Sequence, residues 1–274
     1  MEVVLLRPTA YSLQPFNTTN LMIEQKNHSL FNNYFLWSML VIALSSFVLF
    51  FLLAGSMTDL LQWKMIWRYR LVFWQGWLET AAIAIAALAI SSLFGGLIVM
   101  ARRSSFMLLR SMAMVLVEVI RGTPLLTQIL FFFYVVAHGI GLENRLIVGV
   151  LILSLFSSAY TAEMIRGGIE AIPLSQWESA KVIGLTRFQT YRYVILPQVF
   201  RHLVPALTGQ LASLIKDSSL LSIIGIRELT MAAQQVNAAT YCTLESYFPL
   251  ACGYLLLTLP LSLGSRWLEK KWAL

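Results

Sequence analysis

Residues 171 to 198 read Ala171-Ile-Pro-Leu-Ser-Gln-Trp-Glu178-Ser179-Ala180-Lys-Val-Ile-Gly184-Leu-Thr-Arg-Phe-Gln-Thr-Tyr-Arg-Tyr-Val194-Ile-Leu196-Pro197-Gln198. Pro173 suits a first helical turn, where its missing N–H is not needed. Gly184 can take the left-handed conformation that ends a helix. Thr186 followed by Gln189 has the spacing of a capping box, which starts a second helix. Pro197 marks a break before the apolar run that follows. The stretch therefore reads as helix, sharp turn, helix, held between two long apolar segments.

Those segments set the solvent. Of 274 residues, 58% are hydrophobic and 12% charged, with a mean hydropathy of +0.72, where a soluble domain carries about 25% charged residues. The bilayer is the main environment. Six apolar stretches, at 35–55, 73–100, 106–137, 146–166, 199–224 and 246–266, are each long enough to cross about 30 Å of hydrocarbon, which takes about 20 helical residues. The fold class is thus an all-α integral membrane protein of about six transmembrane helices. Residues 1–34 are polar and lack the basic start and early apolar core of a cleaved signal peptide. They read as a tail.

With that tail inside, 13 Lys and Arg residues fall on the cytoplasmic side and 5 outside, and Arg121 and Lys216 lie within the membrane. The bias follows the positive-inside rule. Lys64, Arg68 and Arg70 run against it. Their mixture with Trp63, Trp67 and Tyr69 suits a short segment lying in the headgroup region. The net charge of +7 is dispersed between apolar segments, which argues against a nucleic-acid partner. Cys242 and Cys252 form neither a disulfide framework nor a metal-ligand spacing.

The 171–198 stretch resembles the signature of permeases of binding-protein-dependent ABC importers: Glu-Ala-Ala, three residues, Gly, nine residues, Ile, one residue, Leu-Pro. Glu178, Ala180, Gly184, Leu196 and Pro197 match at every spacing, while Ser179 replaces an Ala and Val194 an Ile. The segments 118–128, 159–168 and 214–220 are similar to motifs of the polar amino acid uptake subfamily, and the resemblance spans residues 72–272. It implies a type I importer permease in which the 174–197 loop docks on a cytoplasmic ATPase. The implied partners are ABC ATPase subunits, a second permease subunit, a substrate-binding protein, membrane lipid and a polar amino acid. The implied location is the bacterial inner membrane, as a multi-pass protein. No cofactor is implied for this chain; the partner ATPase uses ATP and Mg. The resemblance implies a permease domain at 72–272; outside it, hydropathy and charge lead to an expected cytoplasmic tail at 1–34, an additional helix at 35–55 and an interfacial linker at 56–71.

Ionisable groups at bilayer depth need protein, water or substrate beside them. Glu118 and Arg121 are three apart and share a helical face. Gln128 returns near that face if the helix runs on, but Gly122 and Pro124 interrupt it. Two readings stand: these residues border a translocation path, or they form a buried pair that fixes packing. Gln210, Ser213 and Asp217 share a face of a later helix and pose the same choice, with Lys216 able to pair with Asp217. Glu163 and Arg166, three apart, read as a local pair bracing the loop. Ser154, Ser157, Ser158, Thr161 and Gly95-Gly96 read as packing surfaces. There is no nucleophile with its base and no phosphate-binding glycine loop. An ion-gradient-driven secondary transporter is the alternative, and it gives the 171–198 signature no role.

Overall fold

The computed structural model describes residues 64–272 together with Ser38, Val41 and Ser45, which are helical. The expected tail at 1–34 and, those three residues apart, the expected span at 35–55 lie outside the described residues. Every regular element among the described residues is helical. That is what a bilayer demands of a chain that is not a barrel, because a helix satisfies its backbone groups within itself.

A short helix α1 (Lys64–Arg68) precedes α2 (Arg70–Arg102). Arg70 lies 4.8 Å from the Trp67 ring centroid and donates to the Trp67 carbonyl at 2.8 Å. Residues 56–63 of the expected interfacial linker lie outside the described residues. Next come α3 (Met107–Gly122) and α4 (Leu125–Phe131), the latter continuing as a π-helical turn, Phe132–Ala137. The long helix α5 (Arg145–Glu170) leads into α6 (Leu174–Val182) and α7 (Arg187–Gln189). A second π-turn, Thr190–Ile195, joins α7 to α8 (Leu196–Asp217). A 3₁₀ segment, Ser218–Ile224, is followed by α9 (Leu229–Thr240) and α10 (Thr243–Lys271).

Three described helices, α2, α5 and α10, are long and apolar enough to cross a membrane, and the α3/α4 pair makes a fourth if counted as one span. Two expectations need correction. The 106–137 stretch is not one straight span: α3 and the α4 segment are bent by 109°, because Thr123 (ψ 144°) and Pro124 (ψ 138°) are extended. The residue before a proline is pushed out of the α region, and the proline cannot donate. At Pro197 the opposite occurs. The chain does not break there but runs through the wide Thr190–Ile195 turn into α8, with the Leu196 N–H reaching back to the Tyr191 carbonyl. Loosening the preceding turn makes room for a ring that has no N–H of its own.

The core is built on α2 against α5. Gly76, Thr80, Ala84, Ala87, Ser91 and Gly95 form a small-residue stripe on α2. Ser154, Ser157, Ser158 and Thr161 of α5 are fully buried. Between helices in lipid, association comes from close van der Waals approach, which small residues permit. The adjacent glycines separate cleanly. A Cβ on Gly95 would meet Thr161 Cβ and Cγ2 at 2.9 Å, whereas one on Gly96 would meet nothing within 4 Å. The α9 helix is clasped between α2 and α10: the Leu229 N–H donates to Thr80 Oγ1 at 3.1 Å, and Trp77 Nε1 to the Gly253 carbonyl at 3.2 Å. Gly95→Val should therefore lose about 1–3 kcal/mol through overpacking, while Gly96→Val stays near wild type. Thermal unfolding of the two purified variants checks this, and equal midpoints would overturn the assigned α2/α5 contact.

Candidate functional site

The 171–198 hairpin is built by its local signals. Gly184 sits at φ +75°, its N–H bonding the Lys181 carbonyl at 3.0 Å, while the Leu185 N–H reaches the Ala180 carbonyl at 3.0 Å. This is the Schellman closure of α6. Thr186 Oγ1 accepts from the Gln189 N–H and Gln189 Oε1 accepts from the Thr186 N–H, a complete capping box. Ala180 is buried, and Glu178 and Ser179 are exposed. The family's Ala at position 179 is therefore replaced by Ser where a hydroxyl meets water at no desolvation cost. Leu196 and Pro197 lie at the start of α8, both exposed.

The hairpin is not a free loop. Ile172, Ile195 and Val199 form a small core with Ile169, Trp177, Tyr191 and Val194. Trp177 meets Tyr191 edge-on at 5.3 Å. Its outer side carries Leu174, Phe188 and Ile183 with Val182, which is 86% exposed. A row of exposed apolar groups beside the acidic Glu178 has the character of a protein-docking face.

Above the hairpin, Glu163 and Arg166 pair as their spacing requires: Arg166 Nε and Nη2 donate to Glu163 Oε2 at 2.9 and 2.7 Å. Arg102 of α2 joins the same carboxylate, and Arg166 Nη1 reaches Glu170 at 2.6 Å. Arg103 donates to the Tyr191 hydroxyl at 2.9 Å, linking the end of α2 to the hairpin. Neither Arg102 nor Arg103 was legible as a partner, since each contact spans more than 60 residues of sequence.

At the α3/α4 break the expected grouping comes apart. Glu118 and Arg121 form no ion pair; both are exposed, and Arg121 lies 5.6 Å from the Tyr160 ring centroid on α5. Gln128 does not return to their face, because the 109° bend invalidates counting residues along one axis. It is buried, and its amide N–H₂ donates to the Ile120 carbonyl at 2.8 Å and to the Thr123 carbonyl and hydroxyl at 3.2 and 2.8 Å. Gln128 thus satisfies groups that the break releases. Its Oε1 is buried without a partner.

On α8, Gln210 is buried and donates to Ser157 of α5 at 3.1 Å, and Ser213 and Asp217 are half-buried. Lys216 is exposed and makes no ion pair with Asp217, since adjacent helical residues do not face each other. Sequence reasoning missed Glu228, which is fully buried and caps α9 by accepting the Thr230 and Met231 N–H groups at 2.7 and 2.8 Å. It also accepts from the Tyr254 hydroxyl at 2.9 Å. Glutamate is not among the preferred N-cap residues, so the local sequence carried no capping signal here. Among the described residues no group of His, Cys, Asp and Glu could hold a metal ion.

Residues 93–274 match the model of the binding-protein-dependent transport system inner membrane component. The chain belongs to that family. It is 34% identical over 212 residues to the glutamine transport system permease protein GlnP of Escherichia coli K12, covering 76% of this chain and 96% of that one. The probable glutamine ABC transporter permease protein GlnM of Bacillus subtilis 168 is 34% identical over 201 residues, 73% and 93% of the two chains. A crystal structure of an amino acid ABC transporter with histidines superposes with a TM-score of 0.72 at 33% identity, over 77% of this chain and 99% of that one. The MetNI methionine ABC transporter in inward-facing form shares the fold, with a TM-score of 0.63 at 19% identity. This chain is an integral membrane permease component of an ABC importer, with the type I architecture, and is not the ATPase. The comparisons give no support to an ion-gradient-driven transporter.

Gln128→Leu leaves the Ile120 and Thr123 carbonyls without their donor, so this variant should lose about 1–3 kcal/mol while still inserting. Unfolding of the solubilised protein measures it. Wild-type stability would show that the break needs no side-chain support.

Proposed function

We propose that this permease takes up a polar amino acid, handed over at the outer surface by a substrate-binding protein, and lies in the bacterial inner membrane. The relatives' names and the subfamily motifs at 118–128, 159–168 and 214–220 support the substrate class. The observation that carries the mechanism is the braced hairpin with its outward apolar row and Glu178. It suits docking on a cytoplasmic ATPase subunit, which uses ATP and Mg, so that closure of the ATPases moves α5 and α8 through the small core at Ile172, Ile195 and Val199. Access to a central site then alternates between the two sides.

The exposure of Glu118 and Arg121 supports a second permease chain. Charges at that depth do not face lipid, so the α3 face that bears them borders a cavity shared with a second copy or a paralogue. Glu118 and Arg121 are the residues we assign to the path, together with the half-buried Ser213 and Asp217. Gln128 and Gln210 support the walls. Lipid covers the outer apolar faces. Residues 72–272 form the permease domain, 56–71 the interfacial linker, 35–55 an additional crossing peripheral to transport, and 1–34 a cytoplasmic tail.

Reconstituted with its ATPase and binding protein, Gly184→Val should lose most amino-acid-stimulated ATP hydrolysis and uptake, because a β-branched residue at φ +75° costs about 1–2 kcal/mol of strain. Gly184→Asn should retain more. Full coupling in the valine variant would refute the hairpin's role, and preferred uptake of sugars or metal ions would refute the substrate class. In a variant lacking Cys242 and Cys252, a cysteine at Ser56 should react with an impermeant reagent from outside and one at Asn17 only after permeabilisation. The reverse pattern would overturn the orientation.

A further inference from the structure

Where α2 ends, α3 begins and α5 ends, a basin opens, lined by Arg102, Arg103, Arg110, Arg166, Glu170 and Met114. Four guanidinium groups converge there. Glu163 takes Arg102 and Arg166, and Glu170 takes Arg166. Counting both glutamates, two positive charges stay uncompensated. Arg103 holds the neutral Tyr191 hydroxyl. The Arg110 guanidinium has no ion-pair or hydrogen-bond partner among the described residues.

A second observation points the same way. Helix α3 begins at the basin without a capping side chain: its N-cap is Phe106, and its first turn holds no acidic residue. The positive end of a 16-residue helix thus meets an arginine one turn in, an arrangement that favours an anion. In the adjoining ends of α2 and α3, Met100, Phe106 and Met107 are exposed, Met107 at 80%, which suits acyl chains beside a charged head.

We propose that this basin binds the phosphate of an anionic phospholipid headgroup from the inner leaflet, held chiefly by Arg110 and Arg103. Guanidinium groups suit phosphate oxygens through paired N–H donors, and basic pockets between membrane helices on the cytoplasmic side take such headgroups. Arg103 also touches Tyr191 of the hairpin core, so the bound headgroup steadies the element that meets the ATPase. The inference rests on the orientation proposed above.

The test uses the assembled importer in nanodiscs of phosphatidylcholine alone and of phosphatidylcholine with phosphatidylglycerol in about equal parts. Thermal unfolding and native mass spectrometry of retained lipid are the readouts. Wild type should unfold several degrees higher and retain phosphatidylglycerol in the mixed discs. Arg110→Gln should lose most of both effects, and Arg110→Lys should recover part. Amino-acid-stimulated ATP hydrolysis in phosphatidylcholine should be the same for wild type and Arg110→Gln, so the transport reading survives if the lipid assignment fails. The proposal is overturned if wild type responds equally to both lipid mixtures, or if Arg110→Gln responds like wild type. It also falls if inorganic phosphate in phosphatidylcholine discs reproduces the whole shift, which would make the ligand a free anion. Weaker ATPase association in Arg110→Gln, equal in both lipids, would make the basin a protein contact and overturn it likewise.

Discussion

A backbone carbonyl released inside a bilayer has no water to accept a hydrogen from, and this constraint reaches every part of the molecule. It restricts the described residues to helices. Where a helix is interrupted, it also demands a replacement donor at the site. At the Thr123-Pro124 break, Gln128 supplies one amide group to three oxygens. At Pro197 the chain keeps its bonds by widening the preceding turn. Two buried hydroxyls of α5 follow the same rule, Ser154 donating to the Val150 carbonyl and Ser158 to the Leu155 carbonyl at 2.6 Å each, while Thr161 Oγ1 is buried without a partner among the described residues. Bonded back to their own helix, the two serines present their small surfaces to α2.

The second consequence concerns packing. Lipid tails are as apolar as leucine, so burying leucine between helices gains little over leaving it in lipid, and the gain must come from approach distance. That explains why the α2/α5 contact uses Gly95, Ser91, Ala87 and Thr161 while Leu93, Leu97 and Met100 face outward. The usual ordering of a soluble core, large side chains inside and small ones outside, is partly inverted here.

The same physics decides how much of the molecule was legible in sequence. Gly184, Thr186 and Gln189 act within a few residues of themselves, and their turn and cap follow from spacing alone. The small stripes were also readable, because helical periodicity places them on one face, although only the structure separates Gly95 from Gly96. Ion-pair partners were readable only in part: Glu163 and Arg166 pair at their spacing. Glu118 has Arg121 at a favourable spacing, yet Arg121 stacks near Tyr160, 39 positions away, and Glu163 adds Arg102 across 61. Spacing shows which residues can meet along one helix; which of them do meet is settled by the neighbouring helix. The bend at Pro124 shows the limit most sharply: the proline announces a break, but its 109° angle depends on α5 and on where the freed carbonyls find donors.

These contacts also bear on how force crosses the molecule. The hairpin joins α5 and α8 at its two ends and holds them through the core of Ile172, Ile195 and Val199. Glu163 ties α5 to α2 through Arg102, and Arg103 returns from α2 to Tyr191 in the hairpin. The result is a closed triangle of α2, α5 and hairpin at one end of the bundle. A push on a flexible loop would be absorbed locally. A push on an element braced on three sides has no soft joint at which to dissipate, so it must rotate the helices together. The π-turn Thr190–Ile195 lies within the triangle, where Tyr191 and Ile195 pin it; beyond the triangle, hydrogen bonding is next irregular at the α3/α4 bend. Movement of the hairpin would therefore be felt at the α3/α4 break that Gln128 holds.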